Sequence, residues 1–297
     1  MLLLTGATGL VGSALLARLL AEGTEVRCLV RDPRRLGAQR VRVQIALGDL
    51  TDPPSFRNAL RGVHTVVHLA ASIRDQPRGS IEELNGIATW RMVEAAERQG
   101  VERFVFFSAL GASSHHRTRL LRAKALAEQA VREASLRSIV FAPSIVYAPG
   151  DPWLALLERM AWLPAMPIAG RGRAAFQPIW AEDVAACVVA ALHSGATTRE
   201  RYELAGPETL EHAEIVRTLL RSLDRTRPLM HVPTPVVSRA LRLLERTGGS
   251  HAFATWDEAE LMETAMTSPH GAADAEALGV NPRRMAAVLA AGTQYPG

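Results

Sequence analysis

The chain has 297 residues, 48% of them hydrophobic and 22% charged, with a formal net charge of +4 and a pI of about 9.6. That length can bury a sizeable core and reads as globular, while arginines scattered among acids, with no basic-aromatic cluster, leave no nucleic-acid footprint. No run approaches the ~18 apolar residues of a membrane span, and "MLLLTG" has no basic region ahead of it, so no secretory leader is expected. The two cysteines, Cys28 and Cys187, lie in apolar segments. They are expected as reduced core residues of a cytoplasmic protein. No metal site is expected.

In chain order, short apolar runs alternate with helical patterns. "LLLT", "EVRCLV", "VRVQIAL", "HTVVHLA", "RFVFFS" and "RSIVFAP" read as strands, and 10–22, 53–61, 80–99 and 117–134 as helices. Strands apolar on both faces, separated by helices, predict a parallel sheet covered on each side. Right-handed crossovers make it a doubly wound α/β sheet, the Rossmann fold. After "YAPGD" (147–151) the pattern changes to a helix, "LPAMP" and a Gly/Arg-rich turn. A clean helix at 181–193 and strand-like "RYELAG" follow, then helices at 211–223, 234–247 and 256–266. The expected organisation is a first domain of residues 1–150, with 181–206 returning to it. A smaller, partly interleaved C-terminal cap (151–180 and 207–297) closes over the carboxyl ends of the strands. "ERTGGSHAF" (245–253) is expected to be a mobile loop. In 235–246, Val236, Val237, Ala240, Leu241 and Leu244 share one side and Arg the other. A cap helix is the preferred reading, with a partner-binding face or a peripheral membrane contact as alternatives.

The most specific feature is "LLLTGATGLVGSALLARLL". A strand runs into Gly6-x-x-Gly9-x-x-Gly12 and an amphipathic helix follows. The first glycine allows a tight turn, the second lets a pyrophosphate approach the backbone, and the third lets helix and strand pack closely. The helix N-terminus supplies free N–H groups and positive dipole. The pattern therefore predicts dinucleotide binding. At the end of the second strand, "CLVRDPRR" places Arg31 where an acid would bind the ribose of NAD, and Asp32 comes one residue late. A guanidinium there suits a 2′-phosphate, so NADP(H) is expected over NAD.

These stretches, with "GDLTD", "VVHLAA", "ELN", "RFVFFSALGA", "APSIVYAPGD", "QPIWAEDVA" and "YELAGPE", resemble the short-chain dehydrogenase/reductase superfamily in its extended and atypical branches. The tail looks like the branch containing the NADPH-binding accessory subunit of respiratory complex I, with NmrA-like proteins as neighbours. The resemblance implies that Thr5, Gly6, Thr8, Gly9, Leu10, Val11 and Gly12 form the pyrophosphate loop and that Arg31 takes the 2′-phosphate. It implies that Asp49 and Leu50 flank the adenine, and that Leu69, Ala70 and Ala71 line the adenosine ribose and phosphates. Lys124 would bind the nicotinamide ribose, with Pro143, Ser144 and Val146 facing the nicotinamide.

Reductases and epimerases of that superfamily use Tyr-x-x-x-Lys, one helical turn apart, with the ammonium lowering the phenol pKa. Here the tyrosine position is Leu120, while Lys124 is the sole lysine among 34 basic residues. An ammonium is a compact charge with three donors, suited to two ribose hydroxyls; a guanidinium is planar and bulkier. The assisting serine is also displaced: Ser108 comes early, the family position is nearer Leu110, and Ser113 or Ser114 could reach inward. His116, beside His115, and Tyr147 are the alternative proton carriers. Asn85 matches a family position that orders backbone and water, and Trp180 either stacks near the ligand or packs in the core. Cofactor binding is thus expected without the standard chemistry. Three functions remain: a nucleotide-sensing or structural module acting through a protein partner; a non-standard NADP-dependent reductase of a small carbonyl or quinone-like substrate; and, last, a nucleotide-sugar epimerase or dehydratase.

Overall fold

A computed structural model describes residues 1–194, 201–233, 235–237, 239 and 256–292. Its first half runs β1 (Leu2–Thr5), α1 (Leu10–Ala21), β2 (Val26–Val30), β3 (Gln44–Leu47), α2 (Pro53–Phe56), β4 (Thr65–His68), α3 (Ala88–Arg98), β5 (Arg103–Phe107), α4 (Arg119–Glu133) and β6 (Arg137–Pro143). There follow β7 (Val146–Tyr147), α5 (Pro152–Met160), β8 (Met166–Ala169), β9 (Ala175–Phe176), β10 (Ile179–Trp180), α6 (Ala181–His193), β11 (Arg201–Leu204), β12 (Leu210–Glu211), α7 (His212–Ser222) and β13 (Leu229–Val232). Short helices at Trp256–Leu261, Ala273–Ala277 and Met285–Gly292 come after them.

The central sheet has seven strands in the order β11-β6-β5-β4-β1-β2-β3, all parallel. This is the doubly wound Rossmann arrangement. The period of two sorts the core by face. Leu4, Val67, Val105 and Phe141 pack with Leu15 and Leu16 of α1 and Cys187 of α6. Leu3, Val66, Phe104 and Phe106 pack on the other face with Phe56, Met92 and Val131. Both cysteines are free and buried, as expected.

Edge positions explain where the elements differ from the sequence reading. "VRVQIAL" supplies a strand only from Gln44, because β2 offers partners for residues 44–47 alone. Residues 33–42 form 3-10 turns, and Val41 is 82% exposed. The third helical segment is α2 plus a 3-10 turn at Arg57–Leu60, and the fourth opens with a π turn at Glu83–Ile87. The last predicted helix stops at Leu261. The mobile loop at 245–253, with Ala240, Leu241 and Leu244, lies outside the described residues.

A further apolar cluster joins Leu110, Leu121, Tyr147, Leu154, Met166, Phe176, Leu219 and Met285. Side chains of the sheet region hold the tail by its backbone. Asp183 accepts from Arg283 N at 2.8 Å, Gln177 Oε1 accepts from Ser268 N at 2.7 Å, and Ser144 Oγ donates to Met266 O at 2.6 Å. In the other direction, the tail residue Asp274 accepts from Glu203 N of β11 at 2.8 Å. Among the described residues no helix is long and apolar enough to cross a membrane.

Candidate functional site

The strand order reverses between β1 and β4, so a crevice opens at their carboxyl ends, where open α/β sheets bind ligands. Gly6 has φ +72°, and a Cβ there would meet Ala70 N at 2.6 Å; at Gly12 it would meet Gly6 O at 2.0 Å. Only hydrogen fits either position, so the loop packs flat under the crevice. Gly9 caps α1, whose first turn carries no acid, and the helix N-terminus is left positive. The resulting cavity of about 660 Å³ is lined by Gly6, Thr8, Gly9, Arg31, Arg35, Asp49, Leu50, Leu69, Ala70, Ala71 and Ser72, among others. These residues fit a dinucleotide: a bare backbone cradle for phosphates at one end and arginines at the other. A second hollow of about 450 Å³ lies at the amino ends of the strands, lined by Met1, His64, Glu102 and Arg103. It is remote from the glycine loop.

At the far end of the cavity, the Asp32 side chain accepts from Arg34 N at 3.0 Å and so caps its own turn. Arg31 remains exposed on the rim. Burial would raise the Asp49 carboxyl, but bonds from Thr51 and Arg78 and the charge of Arg31 outweigh it and hold the pKa below the usual range. Arg78 reaches Asp49 at 3.4 Å from the loop after β4.

Thr5, Leu10, Val11 and Gly12 do not line the cavity. Thr5 works beneath it. Its Oγ1 accepts from Ala70 N at 3.3 Å and lies 2.9 Å from His68 Nδ1. His68 Nε2 lies 3.2 Å from Thr89 Oγ1, which donates to Asn85 O at 2.7 Å. The chain of bonds is consistent if His68 is neutral with its proton on Nε2, and burial and then the charge of Lys124 push its pKa down to about 3. The sequence reading missed His68; its only signal was a lone polar residue inside the apolar run "HTVVHLA". Asn85 is fully buried and clamps the loop, bonding Ser72 N, Ser72 O and Ile81 O.

Lys124 is 6% exposed and donates from Nζ to Phe107 O at 2.6 Å, 5.1 Å from the centroid of the Phe106 ring. Burial draws its pKa down to about 8. Leu120, one turn earlier, is half-buried and aliphatic. The candidate proton carriers are committed elsewhere. Ser108 donates to Glu128 Oε2 at 2.6 Å, and Glu128 also binds Arg132 and Arg201, a structural knot between α4 and β11. Tyr147 is fully buried, its hydroxyl without a partner among the described residues; burial, Asp183 and Glu208 push its pKa up. His116 Nδ1 accepts from Thr118 N at 3.0 Å. Burial and the neighbouring Arg117 and Arg122, against Glu260, lower its pKa. Ser113 and Ser114 are exposed.

The residues expected at the nicotinamide are also partly withdrawn. Pro143 is buried in β6, opposite Leu204. Ser144 is 3% exposed, donating to Met266 O and accepting from Gln177 N. Val146 is half-buried beside Ile179. Trp180 packs on the apolar cluster around Tyr147 and Phe176, with the Arg283 guanidinium 4.7 Å from its ring centroid. Over this end passes a strap the sequence did not reveal. Glu258 pairs with Arg74, Asp257 with Arg119, and Arg119 also binds Asp75 and Glu82. Among the described residues, no group of side chains could hold a metal ion.

The chain matches the NAD(P)H-binding family over residues 6–154. It is 32% identical to the mitochondrial NADH dehydrogenase [ubiquinone] 1 alpha subcomplex subunit 9 of Arabidopsis thaliana, over 78% of this chain but only 60% of that protein. It is also 32% identical to sterol demethylase protein B of Methylococcus capsulatus, over 82% of this chain and 80% of the relative. In fold it is similar to the NADPH complex of the Escherichia coli quinone oxidoreductase QOR2, with TM-score 0.75, 16% identity and coverage of 98% and 99%. The glycine loop, the strand order and these matches agree: the chain belongs to the NAD(P)H-binding family, in the atypical short-chain dehydrogenase/reductase group.

Proposed function

We propose that the protein binds NADP(H) as a nucleotide-sensing or structural module, without the Tyr-Lys proton transfer of its superfamily. One observation carries this reading: the dinucleotide cradle is complete, while Leu120 stands one turn before Lys124, Ser108 is bonded to Glu128 and Tyr147 is sealed in the core. NADP over NAD is supported by Arg31 and Arg35 on the cavity wall and by Asp32 turned into its own cap. When bound, the cofactor would supply a nicotinamide beside Lys124, and Lys124 would hold its ribose. Residues 151–180 and 207–297 act as the cap, and two buried reduced cysteines support a cytoplasmic location. A titration with NADPH and NADH tests the reading. Tight NADPH binding, weaker NADH binding and no turnover across carbonyl and quinone substrates are expected; NADH binding as tightly as NADPH refutes the cofactor choice.

A second reading, an NADP-dependent reductase of a small carbonyl or quinone-like substrate, has its own support. An ammonium with a pKa of about 8 can itself give up a proton near neutral pH. Turnover by the parent that is abolished in Lys124→Met even at saturating NADPH selects it. Epimerase or dehydratase chemistry ranks last, since it depends most on the absent tyrosine.

A further inference from the structure

The charge of this chain is unevenly placed. It has 34 Lys+Arg against 30 Asp+Glu, an excess of four. Two stretches, "RMAWLPAMP" (159–167) and "RTRPLMHVPTPVVSR" (225–239), contain four arginines and no acid. One acid precedes each stretch, Glu158 and Asp224, so with them the two carry four bases against two acids. The fold brings 159–167 and 225–232 side by side. Met166 N donates to Pro228 O at 2.9 Å, and β13 runs parallel to β8 with Met230 opposite Pro167. Arg225 and Arg227 both donate to Ala161 O, at 3.4 and 3.2 Å.

The same face is apolar. Trp162 is 73% exposed, Leu163 46%, Met230 50% and Val236 53%. The Arg225 guanidinium lies 3.4 Å from the Trp162 ring centroid. Among the described residues, none of Arg159, Arg225 and Arg227 pairs with a carboxylate. Protein-binding patches share the enrichment in aromatic residues, Met and Arg but shed charge at their centre, whereas here a guanidinium lies against the exposed Trp162 ring. Exposed Trp, Leu and Met beside arginines that pair with no carboxylate, with bases in excess over the flanking Glu158 and Asp224, match the headgroup layer of a membrane.

We propose that this face docks on an anionic phospholipid surface. Trp162, Leu163 and Met230 enter the headgroup layer while Arg159, Arg225 and Arg227 meet lipid phosphates. The contact is peripheral and independent of the cofactor reading. Co-sedimentation of the full chain with vesicles of phosphatidylcholine, alone or mixed with phosphatidylglycerol, tests it. Binding to the mixed vesicles only, weakening with salt, is expected. Arg159→Gln is expected to lower partitioning about fivefold, the contribution of one cation near an anionic surface. Trp162→Ser with Met230→Ser is expected to lower it about tenfold, with NADPH titration unchanged in both variants. Equal binding to neutral vesicles, no binding to either, or variants that bind like the parent overturn the proposal. Capture by an acidic protein without vesicle binding also overturns it, and assigns the face to a protein partner.

Discussion

The sole lysine makes an unusually clean pH experiment. Lys124 is buried and its ammonium is held at about 8, against 10.5 for a free side chain, by loss of solvation. Between those values the unfolded chain keeps a proton that the folded chain has released, so stability rises with pH through that window. For these two pKa values the gain is about 1 kcal/mol from pH 7 to pH 9 and on the order of 2–3 kcal/mol by pH 10. Three buried groups act in the opposite direction: the Tyr147 phenol, pushed up by burial and felt toward pH 10 and above in both proteins, and the two cysteines. Cys28 and Cys187 are pushed up from 9.0 to about 12 by burial, in Cys187 with help from Asp183. They keep their protons in the fold and withdraw stability above pH 9. Comparison with Lys124→Met cancels them, since both proteins carry both cysteines. Urea unfolding of the pair at pH 7, 8, 9 and 10 measures the difference. The parent is expected to gain on the variant steadily with pH. A difference that stays flat would show that the amine is solvated, and the placement of Lys124 against Phe107 O would be wrong.

Other expectations follow from single contacts. Gly12→Ala puts a methyl 2.0 Å from Gly6 O, so NADPH binding should be lost in a fluorescence titration; retained affinity would refute the tight loop. Arg31→Gln with Arg35→Gln removes charge-assisted bonds of about 1.5–3 kcal/mol each. NADPH affinity should fall at least tenfold while NADH affinity holds, and an equal loss for both would place the 2′-phosphate elsewhere. Leu120→Tyr returns a phenol one turn before Lys124, and turnover on a carbonyl or quinone panel should rise by about 10²–10⁴ over the parent if only the acid is missing; no gain would show that the strap excludes substrate. Arg119→Leu removes the ion pairs to Asp257, Asp75 and Glu82 together. Being partly exposed, the network should cost about 1 kcal/mol or less, yet amide exchange at 256–261 should quicken; unchanged exchange would deny Arg119 any hold on the strap.

The sequence shows what depends on spacing and hides what depends on distant register. Alternation of Leu2, Leu3 and Leu4, or of Val66 and Val67, marks strands covered on both faces. Three glycines at fixed intervals mark the cradle, because their need is local. Ser144 looks like a nicotinamide contact by position, but its hydroxyl bonds Met266 O, 122 residues away. Arg74 meets Glu258 across 184 residues. No periodicity encodes such pairs, so neither the strap nor the bonds that hold Ser144 and Ser108 are legible in the sequence. Lys124 marks the boundary between the two kinds of information. As the one ammonium among 34 bases it is visible in the sequence. Its reason becomes physical only in the fold, where Nζ has a single carbonyl on one side and the Phe106 ring on the other. A guanidinium carries five fixed donors, and this niche offers one backbone acceptor, so an arginine would bury unpaired N–H groups at about 1–3 kcal/mol each. Lys124 is not among the residues lining the cavity, so the proposed grip on two ribose hydroxyls requires the ammonium, with three rotatable donors, to reach out of this niche.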